Sequence, residues 1–314
     1  MQDGQQPRFA ADDARDGVSG HQLERAATRG DVERIRHGAY LDAGAWSLLS
    51  ARQRHLARIA AARRAAREEP VFSHRSAAVL HGIPFLGEPP PRPCTTVPPG
   101  ASKSSGSVER RRRELDTDDV VELPDGTRVT SPTRTAMDLA AGGSSLGGII
   151  AFSHVRRFHG VDRARIDARL VRAGVIPGVR AARVALRRST ADSESALETL
   201  VVVRCEDLGF EPPAQQLPIV GVDGRAYRID FAWDGGRILL ESDGRGKYAD
   251  PALLRERTTE EVIWAERLRE NAIRPSCERF LRATWADAWR GTPLASLLAA
   301  AGVPRPRRAR ALTR

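Results

Sequence analysis

The sequence predicts an α+β chain divided into several domains, and three observations carry that prediction. Close to the start, two helical stretches are followed at once by a short basic hairpin. Through the middle, alanine- and arginine-rich helical runs alternate with proline-rich loops and short strands. Towards the end, a glycine-turned hairpin carries acidic residues on one face, and a long helix follows it. A chain of 314 residues is long enough for two or three domains, each with its own core.

Taken in order, Arg8 to Gly17 reads as a short helix ended by glycine. Val18-Ser19-Gly20 leads into a second helix over His21 to Thr28, with Ser19 or Gly20 near its start. Arg29-Gly30-Asp31 makes a turn, and Val32 to Tyr40 reads as a hairpin turning near Arg36-His37-Gly38. Helix, turn, helix and basic hairpin is the plan of a winged helix-turn-helix, in which one helix enters the major groove while other elements hold phosphates. Residues 1–47 are assigned to this domain. A helix-hairpin module serving protein contacts is the alternative; the arginines of the hairpin favour DNA.

Residues 48–190 form a mixed α/β middle region. Leu48 to Glu68 predicts one long helix. Pro84 to Pro99 cannot be a regular helix, because proline lacks the amide hydrogen and clashes with the preceding turn; it reads as a loop around one strand, Thr95 to Val97. Val120 to Val129 predicts a hairpin closed at Asp125-Gly126. Ser131-Pro132 then opens a helix with proline in its first turn and Asp138 on it. His74, His81, His154 and His159 lack metal-ligand spacing and read as cap, core or surface residues. The run Arg110 to Arg113 is either a phosphate contact or a solvated turn.

A third domain is expected over residues 191–301, opened by helix capping at Asp192 to Glu194. A hairpin around Asp223-Gly224 joins Ile219–Val222 to Arg225–Phe231. The next turn, Gly235-Gly236, tolerates positive φ at both positions and fixes the register that follows. Trp233 then faces Ile238, Phe231 faces Leu240, Asp230 faces Glu241 and Arg228 faces Asp243. Opposed side chains have Cβ atoms about 5 Å apart, so Asp230 and Glu241 repel unless a cation lies between them. A hard divalent ion on carboxylate oxygens, magnesium or manganese, is the economical answer. The alternative is an ordinary solvated face in which Arg228 neutralises Asp243. A long helix over Ala252 to Asn271, a buried strand near Glu278 to Leu281 and a final helix over Ala286 to Ala301 complete the domain, and residues 302–314 read as a basic disordered tail.

Composition narrows the partners. The formal charge is +10, so a polyanion is the natural partner, with no preference between DNA and RNA. Of 50 basic residues only Lys103 and Lys247 are lysines, and Lys247 follows the paired acids, where an ammonium can orient a water or a phosphate. Cys94, Cys205 and Cys277 are widely spaced and match no zinc pattern, as in a reducing cytosol. Neither a signal peptide nor an apolar run of membrane-spanning length is present, so the expected location is cytoplasmic, with no membrane partner.

Two resemblances sharpen these expectations. An Asp, then a hairpin to Glu-x-Asp-Gly with a basic residue beyond, resembles the PD-(D/E)XK nuclease superfamily, and more narrowly its DUF559 branch, related to very-short-patch repair endonucleases. The likeness runs from Ser193 to Trp285 through Glu194, Ser195, Leu197, Gln216, Arg228, Asp230, Glu241, Asp243, Gly244, Arg267, Arg269, Glu270 and Arg282. It implies a restriction-endonuclease-like α/β domain with Asp230 and Glu241 as metal ligands, Glu194 or Asp243 assisting, and Gln216, Arg228 and Arg282 as accessories. The sequence departs from the branch where Ser242 replaces an aromatic residue, Lys247 a histidine and Asp243 the lysine of E-x-K. The first 47 residues, with the segments around Ser73-His74 and Ser131-Pro132, resemble AbiEi-type antitoxins. That likeness implies His21, Gln22, Glu24 and Arg25 on or near a recognition helix and Arg34 and Arg36 on the wing.

The function expected from all this is metal-dependent hydrolysis of phosphodiester bonds in double-stranded DNA, in phage defence or mobile-element control. In such a site the ion would activate a water and Lys247 would hold it or steady charge on the phosphate. A catalytically silent, antitoxin-like transcriptional regulator is the second reading, and an RNA-acting nuclease the third. A toxin or other protein partner is left open.

Overall fold

The computed structural model describes residues 8–9, 19–102, 104–174, 177–243 and 259–306. Helices and sheets are mixed in two compact units, an α+β architecture. The first unit takes the described residues up to Val155 together with Val161–Leu186. The second takes Arg156–Gly160 and the described residues from Arg187 onward.

The first unit opens with β1 (Arg8–Phe9), α1 (Gly20–Arg29), β2 (Val32–Arg36) and β3 (Ala39–Asp42). α1 starts with a reciprocal cap: Ser19 Oγ accepts the Gln22 N–H while Gln22 Oε1 accepts the Ser19 N–H at 2.7 Å. Gly30, at φ +85°, ends the helix, as a left-handed glycine commonly does. β2 and β3 form the expected hairpin, turning at Gly38, whose φ is +75°. The helix expected from Arg8 is not formed there. Arg8 and Phe9 pair antiparallel with Tyr40 and Ala39, which satisfies backbone groups on the open edge of the hairpin. Residues 10–17 of that expected helix lie outside the described residues.

A short helix, α2 (Ala43–Leu48), precedes α3 (Ala51–Arg64), which is the helix expected over 48–68, shortened at both ends. Leu49 is extended, and Ser50 with Gln53 makes a second capping box that restarts the chain as a helix. The six-stranded sheet comes next, built from β4 (Val71–Phe72), β5 (Cys94–Val97), β6 (Ser104–Ser105), β7 (Val108–Arg112), β8 (Val120–Glu122) and β9 (Arg128–Thr130) in the order β6-β7-β5-β4-β9-β8. α4 (His74–His81) lies between β4 and β5 in the chain. The strand at Thr95–Val97, the hairpin at Asp125-Gly126 and the helix opened by Ser131-Pro132 all form. The remaining helices are α5 (Pro132–Gly142), α6 (Ser145–Phe158), α7 (Arg163–Arg172) and α8 (Val179–Arg188). Ile59, Ala62, Phe72, Ala77 and Val129 form an apolar cluster between α3, α4 and the sheet.

A buried charge network lies in the same unit. Arg134 Nη1 donates to Asp119 Oδ2 at 2.7 Å and Arg134 Nε to Asp138 Oδ1 at 3.0 Å, while Arg169 pairs with the other Asp119 oxygen. All four side chains are buried. Burial works against the Arg134 charge, but Asp138 and Asp119 outweigh it and hold the guanidinium pKa above its ordinary value.

The second unit contains α9 (Ala196–Asp207), β10 (Ala214–Val220), β11 (Ala226–Trp233), β12 (Ile238–Asp243), α10 (Thr259–Ile273), β13 (Arg279–Thr284), α11 (Trp285–Arg290) and α12 (Thr292–Ala300). Its sheet runs β10-β11-β12-β13, with antiparallel pairs up to β12 and a parallel pair between β12 and β13. The final helix is split at Gly291, whose φ of +78° no continuing helix allows. Ile229, Ala232, Leu239 and Ile273 form one cluster, and Phe231 and Leu240 are buried as well. With Ala232 and Leu239 buried, the face carrying the acids is not a solvated sheet surface.

Two outcomes test this account of the first unit. Replacing Asp119 by alanine leaves Arg134 and Arg169 buried without their shared partner and should cost about 3–5 kcal/mol in urea denaturation. His55 is buried with Nε2 2.9 Å from Ser76 Oγ, and burial, with Arg58 adding, lowers its pKa from 6.5 to about 4. A folded-state pKa below the unfolded one means that stability is lost as pH falls from about 6.5 to about 4. The loss is about 3 kcal/mol at about 1.4 kcal/mol per pKa unit. His55→Asn should flatten that part of the pH profile; an unchanged slope would remove His55 as its source.

Candidate functional site

The acidic site of the second unit is built on the hairpin of β11 and β12. Asp234, Gly235 and Gly236 turn the chain at φ +49°, +65° and +96°. The ladder behind the turn has the register the glycines imply: Trp233 opposite Ile238, Ala232 opposite Leu239, Phe231 opposite Leu240. The ladder ends there. Asp230, the next residue, reaches β12 through its side chain instead: Oδ2 accepts the Ser242 N–H at 2.8 Å and the Ser242 hydroxyl at 2.5 Å. The expected direct opposition of Asp230 and Glu241 is therefore replaced by a carboxylate capping a backbone amide. The Ser242 hydroxyl supplies the second donor.

Glu241 is buried, and its Oε1 lies 2.5 Å from Arg269 Nη1 in an ion pair formed from α10. Burial raises the Glu241 pKa; Glu266 and Asp230 push the same way, and Arg269 opposes them. Arg269 also donates through Nη2 to the Arg228 carbonyl at 2.9 Å, which fastens α10 to β11. Arg282 stands beside Glu241 in the parallel β12–β13 register. Its Nη2 bridges Glu266 at 2.9 Å and Glu270 at 3.0 Å. Glu194 is engaged by two arginines, Arg157 and, at 2.5 Å, Arg228. Arg228 thus serves Glu194, and Asp243, which it was expected to face, ends β12 opposite Thr284. Lys247 lies outside the described residues.

A second buried carboxylate went unread in the sequence. Glu198 Oε2 accepts the Glu194 N–H at 2.7 Å and Gln216 Nε2 at 2.9 Å. Burial raises its pKa, with the charges of Asp230 and Glu194 adding. Gln216 makes that contact from a left-handed backbone, φ +55°, a conformation that costs about 1–3 kcal/mol in a non-glycine residue. The signal was present: Ser195-x-x-Glu198 is an S-x-x-E helix start, and Ser195 Oγ does accept the Glu198 N–H at 3.1 Å.

These partners correct the magnesium or manganese expectation. Among the described residues no group of three or more His, Cys, Asp and Glu side chains could hold a metal ion. The physical reason is that three of these acids are already answered by the protein: Glu241 by Arg269, Asp230 by Ser242, Glu194 by Arg157 and Arg228.

The other candidate residues stand in the first unit. α1 buries only Leu23 and exposes His21, Gln22 and Arg25. Gln22 spends its carbonyl oxygen on the Ser19 cap, and His21 Nδ1 lies 3.7 Å from Glu24. On the hairpin Arg34 is exposed, with Nη2 3.0 Å from His37 Nδ1. Arg36 instead turns inward, where Nη1 donates to the Ala61 carbonyl at 3.0 Å and burial lowers its pKa.

No family model matches the sequence. The chain is similar to two uncharacterised proteins of Mycobacterium tuberculosis, MT2308 of strain CDC 1551 / Oshkosh and Rv2248 of strain H37Rv. Each is 29% identical over 134 residues, which is 42% of this chain and 49% of the relative. The chain therefore spans about half the length of the curated relatives it matches.

Removing the arginine should expose the strain on the acid. Arg269→Met leaves Glu241 buried and unpaired and should cost about 3 kcal/mol at pH 7. The cost should be smaller in acid than at pH 7, because burial raises the Glu241 carboxyl pKa and favours its neutral form. Equal losses at both pH values in chemical denaturation would show that the ion pair is not the source.

Proposed function

We propose that this protein binds duplex DNA through α1 and the β2–β3 hairpin without cleaving it, as a regulator of the antitoxin type. In this reading the second unit is a nuclease-like sheet that keeps its acids but has turned them to structural use. The observation that carries it is the closure of Glu241 by Arg269 together with the use of Asp230 by Ser242. A carboxylate already paired with a guanidinium and buried has little electrostatic demand left for an incoming cation.

The DNA-binding half of the proposal rests on the first unit. A helix that buries one residue of its own and presents polar side chains is suited to lie in a groove, and an arginine-bearing hairpin directly after it is suited to hold phosphates. The excess of 50 basic over 40 acidic residues supports a polyanionic partner. The contact set becomes His21, Arg25 and Arg34, with Gln22 reduced to its amide nitrogen and Arg36 assigned to the fold.

Fluorescence anisotropy on a mixed-sequence duplex, read across a salt series, tests this. Arg34→Ala should weaken binding evenly over different sequences and lower the salt slope by about one. Arg25→Ala should weaken some sequences more than others. Affinities unchanged in both variants would remove α1 and the hairpin as the DNA-binding surface.

A further inference from the structure

Away from the acidic sheet, the first unit holds a cavity of about 560 Å³ whose lining includes His74, Phe85, Arg111, Arg113, Asp138 and Leu139. Its volume falls in the range of small-molecule sites. Three kinds of group converge on it. Arg111 and Arg113 bring positive charge from β7 and the residue after it, and among the described residues Arg111 pairs with a carboxylate, Glu109 at 2.5 Å. Phe85 gives an aromatic wall, with the Arg75 guanidinium 5.6 Å from its ring centroid. Asp138 supplies a buried acceptor. One of its oxygens is fixed by Arg134 Nε at 3.0 Å, but the other, Oδ2, is buried with no hydrogen-bond partner.

That unmet oxygen is the informative feature, since a buried carboxylate oxygen left without a donor is strongly unfavourable. The nearest cationic candidate, His74 Nδ1, stands 3.8 Å away and is itself 3.0 Å from Ser73 Oγ. His74 holds a left-handed backbone, φ +54°, and such conformations in non-glycine residues cluster at ligand sites. Asp138 cannot swing to water, because Arg134, anchored by Asp119, grips its other oxygen. The cavity therefore offers, in one place, charge for an anion, a face for a flat ring and a fixed acceptor for an N–H.

We propose that this cavity binds a nucleoside phosphate, with the phosphate on Arg111 and Arg113, the base against Phe85, and a base N–H donating to Asp138 Oδ2. The donor completes a carboxylate that the fold leaves open, and the arginines match phosphate oxygens as a planar fork does. This site is separate from the α1 surface, so its failure and that of the DNA-binding reading are distinguishable.

Isothermal titration of the full-length protein with AMP, GMP, CMP and UMP tests it, with ribose 5-phosphate and inorganic phosphate as comparisons. At least one nucleotide should bind at least about tenfold more tightly than either comparison, the difference being recognition of the base. Arg113→Glu should weaken that binding by at least about tenfold, and Asp138→Asn should erase the preference for nucleotide over ribose 5-phosphate. If Asp138→Asn does not fold, Arg111→Glu on the exposed rim keeps the question answerable and should weaken binding as Arg113→Glu does. A 5′-phosphorylated dinucleotide binding as well as the mononucleotide would name a strand end as the source, and exclusion of the dinucleotide would name a free nucleotide; both support the site. No nucleotide binding at about 1 mM, equal affinity for phosphate alone, or an unchanged affinity in Arg113→Glu would overturn it.

Discussion

Carboxylates taken out of water have to be answered, and in this protein arginine answers most of them. Desolvation of an ion costs several kcal/mol and is recovered only when geometry is good and remaining lone pairs are used. In the first unit Asp119 is clamped between Arg134 and Arg169, and the same Arg134 fixes Asp138. In the second, Arg269 meets Glu241 while its other nitrogen ties α10 to β11. Each clamp joins segments far apart in the sequence: residue 119 to 169 in one case, residue 241 to 269 in the other. The arrangement of both units depends on these pairs being made.

That constraint decides the chemistry of the acidic hairpin. Two opposed carboxylates invite a cation, and the sequence left the nature of that cation to a metal ion. The fold places a guanidinium there and gives Asp230 a backbone amide and a hydroxyl. The same acids that would be ligands in a metal site here become structural acceptors. Serine at 242 is small enough to bring its hydroxyl beneath Asp230, which a large aromatic side chain could not do.

Local chemistry was legible and long-range chemistry was not. Glycine pairs gave the register of Trp233 against Ile238, and Asp125-Gly126 gave its hairpin, because a turn is decided by the residues in it. The same holds for the helix starting at Ser131-Pro132. The start of α3 was written in Ser50-x-x-Gln53, and the helix expected from Leu48 begins at Ala51. Arg8 and Phe9 became strand because β3 offered an edge, which nothing in their own neighbourhood announces. Glu198 escaped because its role depends on Gln216 and Glu194, and the Glu241–Arg269 pair because no spacing rule links a strand residue to a helix residue so far along the chain.

Glu241, Asp230 and Glu194 are engaged by the protein's own donors, and on the proposed reading DNA is held without being cut. Incubating supercoiled plasmid with the full-length protein in magnesium or manganese, and resolving nicked and linear products alongside mobility shift, measures both halves together. The plasmid should be retarded and stay supercoiled. Nicking or linearisation that vanishes in Asp230→Ala would contradict it, returning Asp230 from structural acceptor to participant in phosphodiester hydrolysis.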